Sequence, residues 1–421
     1  MEESGRFAIP HPLAKAPKGR APRVVALLRR ADWWHGYTVR MASERVERVL
    51  LYRLGSLGDH LVALPCYRLV ARTFPDAERC LVTTAPVSEK AAAAEAVLRG
   101  TGLIDRFMTH ASGERNVWTL LRLAWEIRRW KPDVLVYLAG ARGESIARRD
   151  KIFFRLCGIR RQIGVPLTTE MQVNRRVEAP MWVRVGTPWV EEEGRRLARC
   201  VGELGDARLE DAASWSPGLL EAERTEARRL LEPMGDGPFF GFSLGAKVQA
   251  NRWELERWQQ LLTKIGAEWP GFGLVMVGSG DEHDASEAVA LAWSGVHGAG
   301  PVVNLCGVSE LRVSAAVLER ATMFLGHDSG PAHLAASVGT PVLGVFGARV
   351  QAGAWVPHGA HVRVVLHWVD CGGCVLDTCI VERKKCILSI GVDEVMMAVR
   401  EHVARMGIVR GQADATVMRV L

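Results

Sequence analysis

No stretch of this 421-residue chain approaches the ~20 consecutive apolar residues that a membrane-crossing helix requires. Apolar runs such as Val24 to Leu28 and Leu274 to Val277 have the length of a strand. A secretory leader core is missing as well. Lys15, Lys18, Arg20 and Arg23 precede Val24 to Leu28, but that short run meets Arg29, Arg30 and Asp32, so a cytoplasmic location is the expectation. No Gly-x-x-x-x-Gly-Lys-Ser/Thr loop occurs, which excludes a P-loop ATPase. The sequence has no nucleic-acid-binding module and no basic stripe interleaved with aromatics, so nucleic acid is the least favoured partner. Short-period repeats and low-complexity linkers are lacking too.

What is present suits a globular protein: 48% hydrophobic and 24% charged residues argue against wholesale disorder. A single core rarely grows past about 250–300 residues, so two domains are expected. The charge balance is 54 − 47 = +7, and much of the early excess lies in the first 53 residues. Nucleotide phosphates or anionic lipid headgroups would match it; a solvated basic tail is the plain alternative. Leu27, Leu28, Trp33, Trp34 and Tyr37, within 24–41, are able to form an amphipathic membrane-surface patch.

From Arg48 onward, strand-sized apolar runs alternate with helical patterns. Val49 to Leu54, Cys80 to Thr84 and Asp133 to Leu138 read as buried strands. A helix follows the first over about 59–74, and an alanine-rich helix follows Ser88. The region 170–237 reads as charged and helical, and Pro233 to Pro238 marks a boundary. A second series then begins, with strands at Pro238 to Leu244, Gly273 to Val277, Thr322 to Gly326 and Pro341 to Phe346. Helices read over Leu255 to Trp269, Ser309 to Arg320 and Glu394 to Met406. The pattern implies an α/β fold of two doubly wound parallel sheets facing a central cleft, with ligands at the carboxyl ends of the strands.

Two motifs stand at such ends. In Arg53-Leu54-Gly55-Ser56-Leu57-Gly58-Asp59-His60, Gly55 and Gly58 permit a tight turn and close approach to the main chain. Asp59 near the following helix start has its charge stabilised by the helix dipole. It is placed to take a proton from an attacking hydroxyl, or simply to cap the helix. In Gly326-His327-Asp328-Ser329-Gly330-Pro331-Ala332-His333, Ser329 is an N-cap and Pro331 suits the first turn. Gly330 lets a diphosphate near the helix amides, with His333 one turn in and Asp328 on the sugar or the loop.

Ser243 to Lys247 and Val277 to Glu282 add a hydroxyl, an ammonium and acids at two further strand ends. A lysine there suits phosphate, and an acid suits ribose hydroxyls. Arg142, Arg148, Arg149, Arg155, Arg160 and Arg161 either face an anionic acceptor or form a solvated helix face. Of nine cysteines, Cys371, Cys374, Cys379 and Cys386 share one short stretch. Four thiols satisfy a structural metal site; free or redox-sensitive thiols are the alternative.

These residues resemble glycosyltransferase family 9, the ADP-heptose:lipopolysaccharide heptosyltransferases of GT-B fold. Arg53 to Asp59 is similar to the family's N-terminal signature. His327 to Ala336, continuing into Gly339-Thr340-Pro341 and Phe346-Gly347, is similar to its donor-binding signature. The cysteine run through Cys386-Ile387-Leu388 also resembles a stretch near the family's C-terminus. The resemblance covers roughly 48–403. It implies a basic extension over 1–45, a Rossmann-like acceptor domain over 46–235, a Rossmann-like nucleotide-sugar domain over 236–390 and a closing helix and tail over 391–421.

It further implies an inverting transfer of heptose from ADP-heptose to an acceptor hydroxyl, that of a lipopolysaccharide-core-like glycolipid. No catalytic cofactor is required, and the enzyme would touch the inner membrane peripherally. Asp59 would be the general base. Ser243, Asp328, Ser329, Gly330 and His333 would hold the donor, with Glu282 on the ribose. Relatives place a basic residue directly before a Trp-Pro pair. Here Lys247 is followed by Val248 to Ala250 and then Asn251-Arg252-Trp253-Glu254, so Lys247 and Arg252 both compete for the phosphates. Another nucleotide sugar, a protein or small-molecule acceptor, an epimerase and a non-catalytic scaffold of the same fold are the competing readings.

Overall fold

A computed structural model describes residues 45–85, 94–111, 116–183, 186–380 and 382–407. The basic extension over 1–44, with its amphipathic stretch, lies outside the described residues, as do the first residues of the alanine-rich helix after Ser88. From Val46 onward the chain forms one compact unit.

Two all-parallel sheets organise it. The first has the order β3-β2-β1-β4-β5, with β1 Arg48–Tyr52, β2 Glu78–Thr84, β3 Arg106–His110, β4 Val134–Tyr137 and β5 Arg161–Ile163. The second has the order β11-β10-β9-β6-β7-β8. Its strands are β6 Phe239–Ser243, β7 Gly273–Met276, β8 Val302–Asn304, β9 Met323–His327, β10 Val342–Phe346 and β11 Val362–Leu366. The helices used below are α1 Leu57–Leu61, α2 Leu64–Thr73, α3 Ala94–Leu98, α4 Val117–Trp130, α5 Glu144–Leu156 and α6 Glu193–Cys200. They continue with α7 Glu221–Leu230, α8 Leu255–Glu268, α9 His283–Ser294, α10 Leu311–Leu318, α11 Gly330–Ser337 and α12 Val392–Arg405.

The central strands are apolar over most of their length because helices cover both faces of each sheet. Along β1 the pleat sends Val49 and Leu51 into one core and Leu50 and Tyr52 into another. The core holding Val49 and Leu51 continues through Leu57 and Leu61 to Phe324, Ala332 and Val342 of the second half. One apolar layer therefore joins the two sheets. A separate cluster of Phe240, Phe242, Trp258, Trp269 and Trp293 fills the other face of the second sheet, beneath α8, α9 and α12.

The helix expected over 59–74 is broken in two. Leu64 opens a new helix with Pro65 in its first turn, a position where proline's missing N–H costs nothing. Within 170–237, α6 and α7 are helical as expected, but the described residues of 173–192 form no helix and carry an antiparallel bridge between Arg176 and Val190.

Phe240 is fully buried, with its ring against those of Trp269 and Phe272. Phe240→Ala is expected to lower the unfolding free energy by about 3–5 kcal/mol, measured as a reduced urea midpoint at unchanged slope.

Candidate functional site

In a doubly wound sheet, neighbouring strands whose connections leave in opposite directions open a crevice at their carboxyl ends. Here those strands are β1 and β4 in the first sheet, and β6 and β9 in the second. Asp59 lies after β1, Ser243 to Lys247 after β6, and Asp328 to His333 after β9. The topology thus puts the sequence-predicted residues at both crevices.

Asp59 stands in the first turn of α1. Its Oδ2 accepts from the Ser56 amide at 2.8 Å, closing a capping box. The carboxylate folds back so closely that a Cβ on Gly55, whose φ is +129°, would lie 2.1 Å from Asp59 Cγ. Only glycine fits there. Arg53, fully buried at the end of β1, clamps this turn from behind. Its Nε donates to the Asp59 carbonyl at 3.0 Å and its Nη1 to the Leu138 carbonyl at 2.7 Å. Its Nη2 lies 3.5 Å from Asp59 Oδ1. Arg53 Nη1 also lies 3.8 Å from Glu193, which accepts from buried Arg196 at 2.6 Å and 2.8 Å. Asp59 keeps 28% of its side chain exposed, enough to meet a reactant while a buried cation fixes its position.

Gly58 faces the other half: a Cβ there would come within 3.3 Å of the His333 ring. Reciprocally, a Cβ on Gly330 would meet Leu57 Cδ2 at 2.6 Å. A side chain at Gly330 would thus run into Leu57, and both glycines let α1 pack closely on α11. Ser329 is the N-cap of α11 by position, but its hydroxyl does not bond the helix amides and lies 3.4 Å from the His327 carbonyl. Pro331 sits in the first turn as expected, and the Ala332 amide donates to Ser329 O.

His333 is buried against Gly58 with Trp355 edge-on to it. Burial pushes its pKa down to about 4, so it meets a ligand as a neutral ring. His327 is neutral for the same reason, down to about 3. Its Nε2 accepts from the Trp253 amide at 2.8 Å and the Trp258 indole at 2.9 Å, which leaves Nδ1 to donate to Leu244 O at 3.1 Å. That ring ties the ends of β6 and β9 together. Burial raises the Asp328 carboxyl to about 6, against the opposing pull of Arg349 and a hydrogen bond from Asn251 Nδ2 at 3.0 Å.

Ser243 is fully buried and its Oγ accepts from the Gly245 amide at 3.4 Å. Lys247 and Arg252 are both exposed in the loop after β6. Arg252 Nε is tied to Ala246 O at 2.9 Å, and its charge acts on Glu282. Glu282 reaches into a crevice between two strand ends. Cβ atoms on Gly245 and Gly278 would each lie 2.1 Å from one of its carboxylate oxygens. Burial raises its pKa against hydrogen bonds from Ser279 that pull it down, while Oε2 itself is enclosed with no donor in reach.

Sequence reasoning missed Asn251, Arg349 and the clamping role of Arg53. Arg53 had a signal, a lone charge closing a buried strand. Asn251 had none, because its partner lies 77 residues away.

The structure gives the four-cysteine metal site no support. Among the described residues, no group of three or more His, Cys, Asp or Glu side chains is arranged to hold a metal ion. Cys379 Sγ instead accepts from the Lys384 amide at 3.2 Å, Cys386 Sγ lies toward Gly347, and Cys374 is exposed. All four are free thiols. Cys66, Cys80, Cys157, Cys200 and Cys306 are buried. In the arginine-rich stretch, Arg142 and Arg149 pair with Asp150 and Arg148 with Glu144.

Comparison with known proteins matches residues 174–385, just over half of the chain, to the model of glycosyltransferase family 9 (heptosyltransferase). Lipopolysaccharide heptosyltransferase 3 of Escherichia coli (strain K12) is 42% identical over 48 residues, which span 11% of this chain and 14% of that protein. A glycosyltransferase family 9 structure from Veillonella parvula DSM 2008 superposes with a TM-score of 0.61 at 18% identity, covering 85% of this chain and 98% of its own. ADP-heptose LPS heptosyltransferase II of E. coli does so with a TM-score of 0.57 at 16% identity, covering 86% and 99%. These likenesses establish the GT-B fold.

The neutral rings dictate an acid response. His60 and His327 are lowered to about 3, and His333 and His402 to about 4. Below their ordinary value of about 6.5 the unfolded chain therefore binds more protons, and stability falls with pH. Asp328, raised to about 6, acts oppositely but is outnumbered. The urea midpoint is expected to drop between pH 7 and pH 5, with a flatter response in His327→Gln. A midpoint that rises on acidification contradicts the assignment.

Proposed function

The chain belongs to glycosyltransferase family 9, and from that premise we propose that it moves heptose from ADP-heptose to an acceptor hydroxyl with inversion and without a metal. The 46–235 half binds the acceptor, a lipopolysaccharide-core-like glycolipid, and the 236–390 half binds the donor. The name of the E. coli heptosyltransferase II supports the donor choice. Among the described residues, no helix is long and apolar enough to cross a membrane. The proposed setting is cytoplasmic, with peripheral contact to the inner membrane.

The observation that carries this reading is the juxtaposition of α1 and α11, with the partly exposed Asp59 carboxylate on one side and the Asp328–His333 segment on the other. In the proposed step, Asp59 takes the proton of the acceptor hydroxyl as its oxygen bonds the anomeric carbon. The bond from that carbon to the diphosphate oxygen breaks on the opposite face, and ADP departs with the electron pair. The carboxylate has only to receive a proton already acidified by bond formation. Lys247 and Arg252 meet the departing phosphate charge. Asp328, Ser329, Gly330 and neutral His333 orient the sugar and diphosphate, and Ser243 supports the β6 loop. The unpartnered Glu282 Oε2 accepts from a ribose hydroxyl.

Calorimetric titration with ADP, UDP and GDP in EDTA is expected to show selective ADP binding. Preference for UDP or GDP would retain the fold and refute the heptose donor, and binding of none would favour a scaffold. Asp59→Asn is expected to keep ADP affinity while transfer falls about 10²–10⁴-fold; unchanged turnover removes Asp59 from the base role.

A further inference from the structure

Among the described residues, helix α4 has two apolar faces and a single covered one. It buries Leu123, Ile127 and Trp130 beside the first sheet. Trp118, Leu121 and Trp125 point the other way, 79%, 54% and 58% exposed. Their spacing of i, i+3 and i+7 sets them in one stripe. The neighbouring α5 extends the surface with exposed Ile152 and Leu156, and Arg128 Nη1 bonds Leu156 O at 2.8 Å to tie the helices together. Exposed apolar side chains are ordinary when scattered singly, but a contiguous patch marks an interaction surface.

The charge around this patch selects its partner. Arg122 and Arg129 each stand one turn beyond an exposed tryptophan, and the Arg129 guanidinium lies 5.3 Å from the Trp125 ring centroid. Arg106 and His110 of edge strand β3 line a groove together with Trp125 and Arg129. The acidic residue of α4, Glu126, pairs with Arg122 at 3.1 Å, leaving three arginines against one glutamate along the helix.

We propose that this face of α4 and α5 docks the protein on an anionic lipid surface. The indoles of Trp118 and Trp125 and the Leu121 side chain enter the headgroup layer, a zone that tryptophan favours. The arginines meet the lipid phosphates. A second copy of the chain is a poorer occupant, since a two-fold contact would set Arg122 and Arg129 against their own equivalents. By the parallel topology α4 starts on the carboxyl side of β3, the side on which Asp59 opens, so docking brings the cleft up to the lipid surface. The inference rests on the peripheral membrane contact proposed above, to which it assigns a surface, and depends on no assignment of donor or acceptor.

The test is flotation of the full chain with phosphatidylcholine vesicles that contain or lack phosphatidylglycerol. The wild type is expected to float only with phosphatidylglycerol present, less so in added salt. Trp118→Ser/Trp125→Ser and, separately, Arg122→Glu/Arg129→Glu are expected to weaken partitioning about tenfold or more, with unchanged thermal unfolding because the side chains are exposed. Three results overturn the proposal: a wild type that ignores phosphatidylglycerol, variants that float as well as the wild type, or a wild-type dimer in light scattering that the substitutions convert to monomer without vesicle binding.

Discussion

Helices α1 and α11 meet through two glycines, and the geometry of the cleft follows from that contact. Leu57 occupies the space that a side chain on Gly330 would fill, and the His333 ring covers Gly58. Each helix is the first element after a strand at its sheet's reversal point, so fixing the helices against each other fixes the two strand ends as well. A methyl group at Gly330 would sit 2.6 Å from Leu57, and overpacking of that kind forces backbone shifts. The apolar layer beneath the contact runs from Val49 and Leu51 to Phe324 and Val342 without interruption. The halves share a core as well as a surface.

Around that contact the charges are sorted. On the first half, buried Arg53 holds Asp59 from behind and leaves its front open. On the second, the exposed cations Lys247 and Arg252 rim the β6 loop, while Asp328 and Glu282 are drawn inward. The histidines between them are neutral, so the positive charge at the cleft is carried by the rim cations. Such a separation of a carboxylate from a cationic rim suits a displacement in which a proton leaves one side and an anion the other.

The sequence disclosed the inner strands and missed the outer ones, two of them for want of apolar residues. β1, β2 and β4, with β6, β7, β9 and β10, lie inside their sheets and read as unbroken apolar runs. β3, β5, β8 and β11 are the four sheet edges. Segments such as RFMTH and RQI are covered less and carry too few apolar residues to stand out. The glycine-bearing motifs were legible because backbone freedom must be written locally. Their stated purpose was less so: Gly58 and Gly330 admit a neighbouring helix, a fact that only tertiary structure supplies. The Asn251–Asp328 bond likewise depends on how distant loops meet.

Hydrogen–deuterium exchange with and without ADP tests the central claim, that the carboxyl ends of β6, β7 and β9 form the nucleotide site. The account predicts ADP-dependent protection at 243–252, 278–283 and 327–334, with little change along β3 and α4. Protection confined to the first sheet, or its absence from all three segments despite saturating ADP, would contradict it.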